Sequence, residues 1–157
     1  MAQLESGNAW LLSGNVVNAR TPADGLLKSA LATSDPYLQA LAWDLQARVA
    51  IAENDLQSAR ESIQEALAII DRFEILFAAW QVCGTACQLY QRVNEQKIAE
   101  AYRKRAEAAI LKIAGSFDPD EPLRETFLAA PPVRRILCEN VVNKPKRQQG
   151  LKRVAAP

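Results

Sequence analysis

The chain has 157 residues, 49 % of them hydrophobic, a length that suits one domain or a short repeat array of ordinary globular composition. Its 19 basic and 18 acidic residues leave a net charge of +1, too little to draw the whole chain to nucleic acid or a membrane surface. It contains no histidine, which removes the commonest general base and metal ligand, and its three cysteines are too few for a disulfide scaffold.

In chain order, no charged leader followed by an apolar run opens the sequence, and no apolar stretch approaches the ~20 residues of a bilayer span, so a cytoplasmic, membrane-free protein is expected. Residues 2–13 read as a helix without a cap. Thr21-Pro22-Ala23-Asp24 reads as the start of a second helix over about residues 22–33: a hydroxyl cap, then proline at the first helical position. Ser34-Asp35-Pro36 opens a third. From Tyr37 to Asp118 there is no proline, and apolar residues recur at three and four. Four stripes result: Leu38 to Val49, Leu56 to Ile70, Leu76 to Tyr90 and Ile98 to Ile113. Asp118-Pro119-Asp120-Glu121 reads as a further helix start, and Pro131-Pro132 ends that helix before a last short turn over Val133–Leu137.

The expected fold is all-α: antiparallel helix hairpins stacked side by side, six or seven helices in all. Residues 1–35 read as a partial N-terminal repeat, 36–115 as two helix pairs, 116–137 as a closing helix and 138–157 as a basic disordered tail. That tail holds Lys144, Lys146, Arg147, Lys152 and Arg153 against Glu139 alone. It has no aromatic to stack on bases, so no specific nucleic-acid binding is expected.

Two segments align internally, Ala59 to Ala66 with Ala99 to Ala106, while Trp43 and Ala47 match Cys83 and Cys87. Small residues thus fall where two helices must approach closely. The pattern resembles the tetratricopeptide repeat, lengthened to about 40 residues from the usual ~34. The stretch from Ala114 to Leu128, with its Leu123-Arg124 and Phe127-Leu128, and then Pro131 to Leu137, resembles the closing segment of helical repeats in large bacterial signalling ATPases, nucleotide cyclases and maltose-regulator-like transcriptional activators. The resemblance implies a scaffold or sensor end of a signalling protein. Two pairs fall short of the ~3 repeats such a stack needs, so the N-terminal helices are expected to supply a third layer. Phe127 and Leu128 are expected to seal the far end.

The repeat register places Asp44, Arg48, Gln81, Gly84, Gln88, Gln91 and Arg92 along a concave groove. These groups share no single charge sign, and Asp44 and Arg48 stand where chaperone-binding tetratricopeptide domains carry lysine and asparagine. A groove of amides suits an extended peptide or a neighbouring protein segment. Cys83 and Cys87, four apart on a seam that wants small residues, read as packing groups rather than metal ligands. Asp118, Asp120 and Glu121 read as helix-capping acids, and Trp43 and Trp80 as gap fillers opposite alanines.

No catalytic residue, cofactor or metal is expected, since nothing pairs a nucleophile with a base and no glycine-rich phosphate loop is present. The expected function is a non-enzymatic protein–protein interaction module, with a second partner stacking at the N-terminal end. The alternative is a small-ligand-sensing regulatory domain that controls an attached or partner ATPase, cyclase or transcription factor. A mostly apolar pocket with a few convergent polar groups favours the sensor, an open polar groove the scaffold.

Overall fold

A computed structural model describes residues 1–142. These form eight helices and no strand: α1 (Ala2–Leu12), α2 (Val16–Leu31), α3 (Pro36–Ala52), α4 (Leu56–Phe73), α5 (Leu76–Arg92), α6 (Gln96–Ala114), α7 (Pro122–Ala129) and α8 (Pro131–Val142). Local chemistry sets several of their starts. The Asp35 carboxylate accepts from the Tyr37 and Leu38 amides at 2.9 and 3.2 Å, with Pro36 in the first turn where its missing N–H has no partner to lose. Asp55 accepts from the Ser58 amide at 3.0 Å and opens α4.

The second helix begins six residues before the expected Pro22. Asn15 caps it, accepting from the Asn18 amide, and Pro22 lies inside. An interior proline forfeits a backbone hydrogen bond. Here the stripe Ala19, Ala23, Leu26 and Ala30 runs straight through it and is buried almost completely, so packing overrides the local signal. The acidic cluster before α7 also departs from expectation: Glu121 occupies the cap position, and no side-chain cap bond forms there. The last helix continues to Val142, so residues 138–142, expected to be disordered, are helical. Lys144, Lys146, Arg147, Lys152 and Arg153 lie outside the described residues.

The first six helices form three hairpins joined internally by the same turn. Gly14, Asn54 and Asn94 take the left-handed conformation, with φ of 75, 62 and 61°, at intervals of forty residues. After each, the next amide reaches back to the preceding helix: Asn15 to Trp10, Asp55 to Ala50 and Glu95 to Tyr90, at 2.9, 2.9 and 2.8 Å. This is the terminating bond of a left-handed helix end, and asparagine and glycine tolerate the conformation best. Residues 1–35, read as a partial repeat, therefore make a hairpin with the same turn as the two pairs that follow.

Helices adjacent in sequence pack together, and α1, α3 and α5 also touch in succession. Ala19, Ala59 and Ala99 are buried at matching positions of α2, α4 and α6, as are Leu26, Ala66 and Ala106. One core runs through α3 to α6 around Leu41, Ile63, Ala66, Val82 and Leu89; a second joins α2 to α3 through Ala23, Leu26, Leu45 and Val49. Trp43 and Trp80 pack against the larger of these. Side-chain ties between hairpins recur as well. Arg20 on α2 pairs with Glu53 in the next turn, and Arg60, forty residues on, pairs with Glu95 at 3.1 Å.

Beyond α6 the chain folds back. Phe127 meets the edge of Trp80 with ring centroids 6.4 Å apart. Phe127 and Leu128 are only half-buried, and α7 buries no residue fully. The buried residue of this segment is Val133 on α8, 1 % exposed. No described helix is long and apolar enough to cross a membrane.

Candidate functional site

The three first helices of the hairpins present corresponding positions to one face. Asn8, Arg48 and Gln88 stand forty residues apart on α1, α3 and α5, and all three line one cavity of about 320 Å³. Arg48 donates to the Asn8 side-chain oxygen at 2.7 Å, fixing the rim between α1 and α3. On α5 the wall rises turn by turn through Gln81, Gly84, Gln88 and Gln91, with Trp80 and Cys87 beside them. Helix α8 closes the opposite side with Pro132, Arg135 and Ile136. Ile136 seats closely on Gly84: a Cβ there would lie 3.2 Å from the Ile136 Cδ1, so a larger residue would push that side chain off α5 by a few tenths of an ångström.

Six of the seven groove positions read from the sequence, Asp44, Arg48, Gln81, Gly84, Gln88 and Gln91, meet in this cavity. Arg92 does not. Its guanidinium donates to the Ile51 carbonyl at 3.0 Å, near the end of α3, which also accepts from the Asn54 amide at 3.1 Å. Sequence reasoning missed the contributions of Asn8 and Leu12 on α1, Arg103 on α6 and the three α8 residues. For Asn8 a signal existed in its forty-residue offset from Arg48; the return of α8 had none.

Asp44 is the anomaly of the site. Its side chain is 4 % exposed, its Oδ1 has no hydrogen-bond partner among the described residues, and Arg48 stands 4.0 Å from its Oδ2. Burial pushes its carboxyl above the ordinary value, against the opposing pull of the Arg48 guanidinium and the Thr85 hydroxyl. The buried Arg103, by contrast, is satisfied: both Glu100 oxygens accept from it at 2.7 and 2.8 Å, and Glu107 at 3.2 Å. Hydrogen bonding to Glu100 raises its pKa further.

The cysteines separate by environment. Burial pushes the Cys83 thiol up to about 11, which leaves it protonated and inert at neutral pH, while Cys87 forms part of the cavity wall and Cys138 is exposed. Among the described residues no three acidic or thiol groups come together as a metal site. No family model, curated protein or solved structure matches the chain.

Proposed function

We propose that the chain is a non-enzymatic, tetratricopeptide-like binding module acting as a sensor or regulatory part of a signalling protein, and that its groove holds a small ligand beneath α8. The observation that carries this reading is the closure of the groove: Ile136 rests on Gly84 and turns an open face into a cavity of about 320 Å³. Small-molecule sites run from roughly 300 to 1,000 Å³ and combine apolar walls with a few placed polar groups. Leu12, Trp80 and Ile136 supply such walls, and Asp44, Thr85 and Gln88 the polar groups. The stacked antiparallel hairpins and the small residues buried between them support the tetratricopeptide likeness, in a form lengthened to forty residues.

A second reading, contact with a protein segment in the same groove, draws support from α8 itself, which shows how a helical segment seats across this face. Exposed Trp10, Leu12 and Val17 at the first hairpin suit a further protein neighbour stacked there.

Ile136→Asp separates the two readings. A charged group cannot stay against Gly84, so α8 should lift while the cores of α1–α6 persist. Under the ligand reading, compounds that raise the melting temperature of the native protein stop doing so in Ile136→Asp and in Gln88→Trp, which fills the cavity from an exposed position. If instead no compound of a broad metabolite set stabilises the native protein, and Ile136→Asp gains affinity for a protein segment, the second reading replaces the first.

A further inference from the structure

The first helix of each hairpin meets the hairpin before it through the same positions. On α3, Ala42 and Val49 share a core with Ala19, Ala23, Leu26 and Ala30 of α2. The Gln46 side chain donates to Asp24 of α2 at 2.7 Å and accepts from Arg20 at 3.1 Å. Leu45 lies over Gly7 of α1, where a Cβ would stand 2.7 Å from the leucine Cδ2. Forty residues on, Val82, Thr85, Ala86 and Leu89 hold the same places on α5 and are all buried, with the Thr85 hydroxyl reaching back to Asp44 on α3. Forty residues before, the same places on α1 belong to Ala2, Glu5, Ser6 and Ala9, and all of these are exposed. Beside them Trp10 is 40 % exposed, although its counterparts Ala50 and Tyr90 are buried. The face that joins α3 and α5 to the stack therefore stands open on α1.

We propose that this face docks a helical hairpin of a partner protein, whose second helix lies along Ala2, Ser6 and Ala9 as α2 lies along α3 and α4 along α5. At both internal junctions the helix laid on this face is the second of its hairpin, and the same spacing lines it. In α2 the buried residues are Ala19, Ala23, Leu26 and Ala30, and in α4 they include Ala59, Ile63, Ala66 and Ile70. How closely two helices pack depends on the side chains where they cross. The partner's helix therefore carries alanine or a branched aliphatic residue at i, i+4, i+7 and i+11. A second copy of the chain cannot supply it. The faces of α2 and α4 are taken by α3 and α5, and the corresponding Ala99, Arg103, Ala106 and Ile110 of α6 are buried already. No second helix of the described hairpins has that face free, so the occupant comes from a different protein that continues the stack.

The test uses the full chain carrying Ser6→Cys and, as probe, a peptide of residues 55–73 stapled between positions 61 and 65, which are exposed on α4. The peptide presents the face that seats α5, and the staple holds a helix that would be marginal alone at this length. At saturation it should slow alkylation at residue 6, read by mass spectrometry, by roughly tenfold or more. The same peptide with Ala66→Lys, which sets a charge on its docking face, should give no protection. Ala9→Arg in the chain, at an exposed position outside the internal cores, should abolish protection while circular dichroism stays unchanged; Ala2→Arg, on the same face, serves if that form fails to fold. Gln88→Trp should leave protection intact, which separates this face from the cavity. No slowing by the peptide, equal slowing in the Ala9→Arg chain, or loss of protection in Gln88→Trp would overturn the proposal. So would slowing without peptide as the chain is concentrated, accompanied by a doubled mass in sedimentation equilibrium, since the occupant would then be a second copy.

Discussion

At the scale of single residues, Asp44 and Asp55 are both acids of first-helix and turn segments, yet the fold moves them in opposite directions. Asp55 accepts from the Ser58 hydroxyl and amide, and these bonds hold its carboxyl below the ordinary value. Asp44 is raised, chiefly by burial. The two make opposite contributions to stability as pH changes. A lowered carboxyl adds stability above its unfolded pKa that is lost as pH falls through the folded value. A raised one adds stability that is complete below its unfolded pKa and is lost as pH rises through the folded value. For Asp44 that window opens near the ordinary value of 3.8 and extends upward. Asp44→Asn should therefore flatten the decline in unfolding free energy between about pH 4 and neutrality, and narrow the gap between mildly acidic and neutral stability. Urea melts of both forms across that range give the comparison. Parallel pH profiles would mean that the carboxylate is solvated in the native state after all.

At the scale of elements, the hairpin turn is the repeating unit of the design, and its left-handed residue can be tested directly. Asn54 and Asn94 occupy the conformation that Gly14 takes in the first hairpin. Asn54→Gly should change stability by a few tenths of a kcal/mol, whereas Asn54→Ala should cost about 1 kcal/mol, because a Cβ without a local polar group is disfavoured at positive φ. Denaturant midpoints of the two variants decide it. The same unit explains what was legible in the sequence. The alanines of α4 and α6 are apolar-sided, unbroken by proline and joined by similar turns, so their forty-residue offset shows in the letters alone. The α1–α2 hairpin obeys the same geometry but hides it: glycine replaces asparagine in the turn, and Pro22 imitates a helix start in the middle of α2. Six groove positions followed from the register of α3 and α5 because a helix fixes which side chains share a face. Arg92 lies at the end of that register, where its guanidinium reaches the Ile51 carbonyl at the end of α3 instead of the groove. The cover by α8 was beyond such reasoning, since it depends on a chain reversal after α6 that no periodicity encodes.

At the scale of the whole molecule, stability is unevenly distributed, and the distribution matches a binding role. The helices α3 to α6 share one continuous core, and ion pairs such as Arg105 with Asp71 tie the last hairpin to the one before it. The cover has far less holding it: α7 buries no residue fully and is held by the ring contacts of Phe127 with Trp80 and Phe117, and α8 is secured by Val133 and the half-buried Ile136. Segments with few buried apolar contacts open at lower free energy than the global unfolding of a domain. Hydrogen exchange should therefore show the amides of α7 and α8 opening well before those of α3 and α5. Val133→Ala, which removes buried methyl groups at a cost of about 1–2 kcal/mol, should speed exchange in α7 and α8 alone. A ligand held beneath the cover links the two behaviours, since anything that binds only the closed form stabilises closure in proportion to its occupancy. Slower exchange confined to α7, α8 and the cavity wall on adding that ligand would identify closure as the signal passed to a partner. Uniform slowing across all eight helices would instead mean that the cover and the hairpins unfold as one body, and that occupancy is not transmitted through α8.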